Sequence, residues 1–392
     1  MRYIHRALEA QLAKAVRQFP AVVLTGPRRA GKTMLLRRTF PRASYVLLED
    51  PDLVSRFRAD PQGFLDAVRT PAILDEVQHV PEVFAYVRAR IDRQPRRTGQ
   101  WLLTGSQESP LMQGVSESMA GRAAVLQLLP LSARESSKVG MLRGGYPEAV
   151  ARPAAARLWL ASYLQTYLER DVRAVTAVRD LATFRSFLAR LASRHGQMLN
   201  KTDLAAPLGV SVPTISQWLG VLETTAQILI VPPYYENLSK RLTKSPKVYL
   251  ADSGLACHLL GIETAAELER SPFLGALFEG FVAAEIVKAQ VNAGRRRELY
   301  HFRDEQGLEV DFLVPGRGGS LMLVECKASR TVTPAMATPM LRLAEAMRRR
   351  RAISTPVAQF LVHREPRSGS PTEALAPGVR ALPWRRFVDE LR

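Results

Sequence analysis

The sequence predicts an α/β protein in three parts: a parallel-sheet domain over residues 1–150, a helical domain over 151–265 and a second α/β domain over 266–392. Three stretches carry this reading. AVVLTGPRRAGKT (21–33) runs from an apolar strand through a glycine-framed loop into a helix. LNKTDLAAPLGVSVPTISQWLGVLE (199–223) pairs two short helices across a glycine turn. LYHFRDEQGLEVDFLV (299–314) reads as two strands joined at Gln306 and Gly307. Strand–helix–strand order in the first part belongs to a parallel sheet.

Gly26, Gly31, Lys32 and Thr33 have the spacing of a phosphate-binding loop. The glycines permit close backbone approach, and successive N–H groups ring a phosphate at the positive end of the following helix. The cradle comprises Gly26, Pro27, Arg28, Arg29, Ala30, Gly31, Lys32, Thr33 and Met34. Lys32 reaches the β- and γ-phosphates and Thr33 holds Mg²⁺. The helix runs from about Lys32 to Thr39, and YVLLED (45–50) is a second buried strand. PAILDE ends a third strand at Asp75 and Glu76. Carboxylates at the C-terminal edge of a parallel strand face the ligand. Asp75 therefore serves the Mg²⁺ shell and Glu76 polarises the attacking water; an acidic helix cap is the plainer alternative. WLLTGSQ (101–107) is a fourth strand, whose end offers Ser106 or Gln107 to sense the γ-phosphate. AVLQLLPLS (124–132) is a fifth. Arg122 before it either faces a neighbouring copy's γ-phosphate in a ring or filament or is one arginine among many.

Hydrophobic residues make up 46% of 392, enough for two or three cores, and no apolar run approaches a membrane span. MRYIHRALEAQLAKAVRQF reads as a charged amphipathic helix rather than a signal peptide, which predicts a cytoplasmic protein without membrane contact. Cys257 and Cys326 are the only cysteines, which excludes a disulfide framework and a cysteine-built zinc site. The formal charge of +18 predicts a polyanionic partner, DNA first. An arginine-for-lysine bias of a GC-rich genome is the other source of that composition.

GPRRAGKT, ILDEVQHVP, LLTGSQ, SMAGR, LPLS and GGYPEAV (144–150) together resemble the bacterial and archaeal AAA-type P-loop ATPases that carry a C-terminal domain of unknown function, DUF4143. The resemblance covers nearly the whole chain. It implies ATP rather than GTP, Arg122 as arginine finger and Gln107 as sensor.

In the middle part, a helix from Ala154 to Val175 carries Leu158, Trp159, Tyr163 and Tyr167 as core or as a lid over the nucleotide. Asp180 caps a helix through Arg194. The helix-turn-helix places Lys201 to Leu208 before Gly209 and Val212 to Glu223 after it, with Ser211 as cap and Thr214, Ser216 and Gln217 exposed. ILIVPPYY (228–235) and KVYLAD (247–252) then form a wing bearing Lys240, Arg241, Lys244 and Lys247 for phosphate contact. The alternative is a winged helix that packs on protein alone.

The third part opens with a long amphipathic helix containing Glu279 and Glu285. Three strands follow, the last being SLMLVECKAS (320–329). Glu325 and Lys327, two apart, share a strand face. Two strand carboxylates and one from the helix bind Mg²⁺ or Mn²⁺, and Lys327 orients water. This resembles the restriction-endonuclease-like core, with Asp311, Glu325 and Lys327 at its acidic, acidic and lysine positions. Either Glu279 or Glu285 matches the helical acid, and Glu285 is taken as the third metal ligand. A cross-strand ion pair of Lys327 with Asp311 or Glu309 is the alternative without chemistry. A basic helix, the strand VAQFLVH (357–363) and a terminal helix complete the sheet, and His363 reads as a surface histidine.

Together these readings predict an ATP-hydrolysing, DNA-binding homo-oligomer, a motor or remodeller of branched or forked DNA in replication or repair. An ATP-gated, metal-dependent nuclease and an ATP-dependent switch on a protein partner are the rival functions.

Overall fold

The structure, a computed structural model, describes residues 3–105, 118–168, 181–234, 245–350, 356–366 and 373–391. The expectations placed on Ser106, Gln107, Asp180, Lys240, Arg241 and Lys244 fall outside them.

The first part contains α1 (Glu9–Gln18), β1 (Ala21–Thr25), α2 (Lys32–Thr39), β2 (Ser44–Leu47), β3 (Ala72–Asp75), α3 (Val83–Arg93), β4 (Trp101–Thr104) and β5 (Ala123–Gln127). The strands form one parallel sheet in the order β2-β3-β4-β1-β5. β1, β3 and β4 are buried along their whole length, because helices cover both faces of such a sheet. Ala21 and Val23 pack with Leu74 and Leu103 on one side. Val22 and Leu24 pack with Ile73, Leu102 and the helical residues Leu12, Leu35 and Leu36 on the other. β2 is half-exposed rather than buried as expected, since it lies at the sheet edge with β3 as its one neighbour.

The middle part packs α4 (Leu181–Ser193), α5 (Lys201–Ala205) and α6 (Val212–Thr224) around Phe184, Phe187, Trp218 and Leu222. A three-stranded antiparallel sheet accompanies them, with β8 (Lys247–Leu250) between β6 (Gln197–Met198) and β7 (Ile228–Val231). Ser211 caps α6, accepting the Thr214 N–H at 3.2 Å. The preceding helix is regular over Ala156–Tyr163 and passes into a π-turn at Leu164–Leu168. Leu158 is 73% exposed and so is not part of the apolar stripe expected there. Tyr163 instead joins Tyr146 and Trp159 in an aromatic cluster.

The third part runs α7 (Leu274–Asn292), β9 (Tyr300–Arg303), β10 (Glu309–Pro315), β11 (Leu321–Lys327), α8 (Thr338–Arg350), β12 (Val357–His363), β13 (Ala374–Ala376), β14 (Val379–Pro383) and α9 (Trp384–Glu390). Its six-stranded mixed sheet has the order β13-β14-β12-β11-β10-β9. Phe278, Val282 and Ile286 of α7 pack on Phe312, Val324 and Val362. Met340, Leu343 and Met347 of α8 cover the opposite face. α7 is not amphipathic as expected. It is buried all round, because Leu131 and Val139 of the first part pack on Phe281 and the core of the middle part takes up Leu277. Charges survive in such a helix only when paired. Among the described residues, no helix is long and apolar enough to cross a membrane.

Candidate functional site

The parallel sheet delivers the phosphate-binding loop from the end of β1. Gly26 has φ +140°, and a Cβ there would lie 2.1 Å from the Leu128 carbonyl oxygen; Gly31, at φ +98°, starts α2. Both positions require glycine. Lys32 is buried, and its Nζ donates to the carbonyls of Gly26 at 3.0 Å and Pro27 at 3.1 Å. Thr33 Oγ1 and the Tyr45 hydroxyl each donate to Asp75 Oδ2 at 2.8 Å. Asp75 Oδ1 is buried without a hydrogen-bond partner. Burial pushes the Asp75 carboxyl up, the Tyr45 and Thr33 hydrogen bonds and the Lys32 charge pull it down, and Glu76 adds to the rise. A buried carboxylate oxygen lacking a donor, next to a hydroxyl, is a fitting donor set for Mg²⁺. Thr33 and Asp75 are therefore the residues that would hold it.

Glu76 has φ +57° and accepts a hydrogen bond from the Gln78 amide. Met34 is exposed, Arg29 exposed and Arg28 half-buried. Arg122 precedes β5, so it lies at the sheet edge opposite the loop. Its guanidinium forks onto Asp92 at 2.6 and 3.1 Å.

The second constellation is built differently from the expectation. Phe312 pairs with Val324, so Asp311 falls opposite Glu325. Asp311 Oδ2 accepts the Cys326 N–H at 2.8 Å. Lys327 pairs along its own strand with Glu325 at 2.6 Å, not across it with Asp311 or Glu309. Glu285, taken as the third metal ligand, is elsewhere. It accepts from Ala133 N at 2.8 Å and from Lys288 Nζ at 2.9 Å, tying α7 to the first domain. The helical acid beside Asp311 is Glu279. Lys247, expected on a solvent-facing wing, is 3% exposed. Its Nζ lies 2.8 Å from Glu279, 2.7 Å from Glu309 and 3.7 Å from Asp311. The Tyr249 hydroxyl donates to Glu279 at 2.6 Å. His363, expected at the surface, is fully buried at the end of β12.

Burial and the neighbouring Asp311 raise Glu279 to about 7 against the pull of Lys247, and raise Glu325 to about 8 against the pull of Lys327. Burial alone would depress the Lys247 ammonium, but Glu279, Asp311 and Glu309 together drive it up. Among the described residues, no three acidic, histidine or cysteine side chains form a metal-binding group. Asp311, Glu325 and Glu285 do not fit Mg²⁺ or Mn²⁺ as arranged here.

Comparison with known proteins places the first and third parts in known domain families. The AAA domain family matches residues 18–137, and a domain of unknown function, DUF4143, matches 274–368. The chain belongs to the AAA-type P-loop ATPases with a C-terminal DUF4143 domain. A further domain of unknown function, DUF8612, matches residues 134–266 of this ATPase. Uncharacterized proteins of Mycobacterium tuberculosis and Mycobacterium bovis are each 33% identical over 342 residues, spanning 86% of this ATPase and 76% of their own length. Among solved structures, a Walker-type ATPase of Pyrococcus abyssi aligns with a TM-score of 0.46 at 15% identity, over 66% of this chain and 96% of its own. A RuvB variant of Thermotoga maritima aligns at 0.28 and 17%, over 58% and 86%.

Three residues of this ATPase escaped the sequence reading. Tyr45 was one residue of a strand, and its hydroxyl holds Asp75. Arg6 is buried, with its guanidinium on the carbonyls of Ala30 at 2.8 Å and Leu129 at 2.6 Å and on Glu135 at 2.9 Å, bracing the loop from behind. Thr104 ends β4 with its hydroxyl buried and unpartnered. None has a local signal, because an isolated polar residue shows its partner only after folding. A cleft of about 780 Å³ where all three parts meet is lined by Val139, Arg157, Arg330 and Arg364, among others. The three arginines are bridged to Glu263 or Glu269.

Proposed function

We propose that this chain hydrolyses ATP as an oligomer and couples the hydrolysis to movement on DNA. The observation that carries the reading is the pairing of a buried Lys32 on loop carbonyls with an Asp75 whose Oδ1 lacks a partner. Loop N–H groups and Lys32 bind the phosphates. Thr33 and Asp75 would hold Mg²⁺, which when bound would neutralise charge on the transferred phosphoryl group. Glu76 orients water and accepts its proton, for which it must release the Gln78 amide. Arg122 acts on the next copy's nucleotide after leaving Asp92, and Gln107 senses the γ-phosphate.

Several features support a nucleic-acid end. The chain carries a formal charge of +18. Three helices with a three-stranded sheet suit a winged helix, with Gln217 exposed on α6. The order α7-β9-β10-β11-α8-β12 suits a restriction-endonuclease-like core. Domain limits at residues 150 and 265 follow from that division. Forked and branched duplexes are the substrates to test first.

The test is ATP turnover at low salt with single-stranded, duplex, forked and four-way DNA, comparing the parent with Glu76→Gln. We expect stimulation by DNA that weakens steeply with salt, and no turnover in the variant. Turnover indifferent to every DNA would remove the DNA half of the proposal, and turnover surviving in Glu76→Gln would remove the assignment of the base.

A further inference from the structure

We infer that Lys247 stands where the C-terminal acidic core would otherwise hold a divalent cation, so that this core holds an ammonium in place of the metal that cutting would require. The inference is independent of the ATPase reading. Lys247 belongs to β8 of the middle part, whereas Glu309 and Asp311 lie on β10 and Glu279 on α7. An ammonium thus reaches in from another domain and lies within 4 Å of three carboxylates.

The substitution changes what the core can do. An ammonium carries one charge, three donors and no vacant coordination position. It neutralises carboxylates, but it neither polarises a phosphoryl oxygen as a Lewis acid nor generates hydroxide from bound water. A divalent ion entering between Glu279 and Asp311 would have to expel a buried ammonium from its partners or sit beside it against like charge. Both routes are unfavourable in a low-dielectric setting. Displacement is opposed further because Lys247 is fixed within a paired strand, where Val248 faces Gln197 on one side and Ile230 on the other. In the other half of the core, Lys327 already occupies Glu325 Oε1.

Mn²⁺ binding to the full chain without nucleotide, read from the free aqua-ion signal in electron paramagnetic resonance, tests this. The parent and Asp311→Asn should bind Mn²⁺ alike. Lys247→Met should raise Mn²⁺ affinity at least about a hundredfold, the scale expected from removing a unit positive charge at this distance, and adding Asp311→Asn should abolish the gain. Should Lys247→Met fail to fold, Lys247→Met with Glu309→Gln removes one carboxylate together with the ammonium and makes the same comparison. Mn²⁺ affinity in the parent that falls on Asp311→Asn, or plasmid nicking by the parent with the same dependence, overturns the inference. So does a folded lysine-free variant that gains no affinity.

Discussion

Lys32 and Lys247 are both almost wholly buried, at 5% and 3% exposure, and both lie near acids. Lys32 donates to two carbonyls of its own loop. Lys247 donates into carboxylates of two other elements. A carbonyl solvates an ammonium without cancelling its charge, whereas carboxylates cancel it. The kind of oxygen a buried lysine meets therefore separates a site that draws in a polyanion from one that holds two domains together. Residue type does not make that distinction.

The sharpest way to break this comparison is to remove each lysine. Lys247→Met leaves buried carboxylates uncompensated and should cost about 3–5 kcal/mol of stability, measured by chemical denaturation, while Lys32→Met should leave the midpoint near the parent's. Equal losses would mean that Lys32 is also structural. Turnover should respond in the opposite sense. Lys32→Met removes a donor to the developing charge and should lower ATP hydrolysis by about 10²–10³-fold, whereas the charge-reduced pair Lys247→Met with Glu309→Gln should retain hydrolysis wherever it folds.

Acid provides a gentler probe of the Lys247 side. His195 is 1% exposed, its Nδ1 accepts the Leu250 N–H of β8 at 3.0 Å, and its Nε2 has no partner. Burial lowers it to about 4 from an ordinary 6.5. Its folded value is depressed, so its contribution is intact above 6.5 and is lost as pH falls towards 4. The loss is up to about 3 kcal/mol on the scale of one pKa unit per 1.4 kcal/mol. Glu279, raised to about 7, has the opposite sign and costs stability as pH rises through that value. The two windows overlap and their slopes offset each other between about 4.5 and 6.5, so denaturation midpoints should be nearly level there, and His195→Gln should leave them falling as pH climbs towards 7.

How much of this was readable in the sequence depends on the separation of partners. The loop was legible because Gly26, Gly31, Lys32 and Thr33 work within one turn of chain, and α2 spans Lys32–Thr39 as expected. The edge position of β2 was not, since it depends on which strands lie beside it. Glu279 and Glu285 could not be ranked either. Six residues turn a helix by roughly 600°, so the two acids face different ways, and α7 is apolar all round and gives no sign of which way is inward. Lys247 was misread because a basic stretch in front of a strand looks like a solvent-facing wing. Its acids lie 32 to 64 residues further along the chain, beyond the reach of any local pattern.

The smallest effect expected is at Tyr45, which bears on how the nucleotide site keeps its acid ready. The Tyr45 hydroxyl and Thr33 share Asp75 Oδ2, and the tyrosine hydrogen bond favours the charged carboxylate against the burial that raises it. Tyr45→Phe should cost about 1 kcal/mol in Mg²⁺-dependent nucleotide binding, and the acid limb of the turnover profile should move to higher pH. The direction follows because a carboxylate that loses a donor holds its proton more tightly. An unchanged acid limb with weaker binding would make Tyr45 a packing residue, and the readiness of Asp75 would then rest on Thr33 and Lys32.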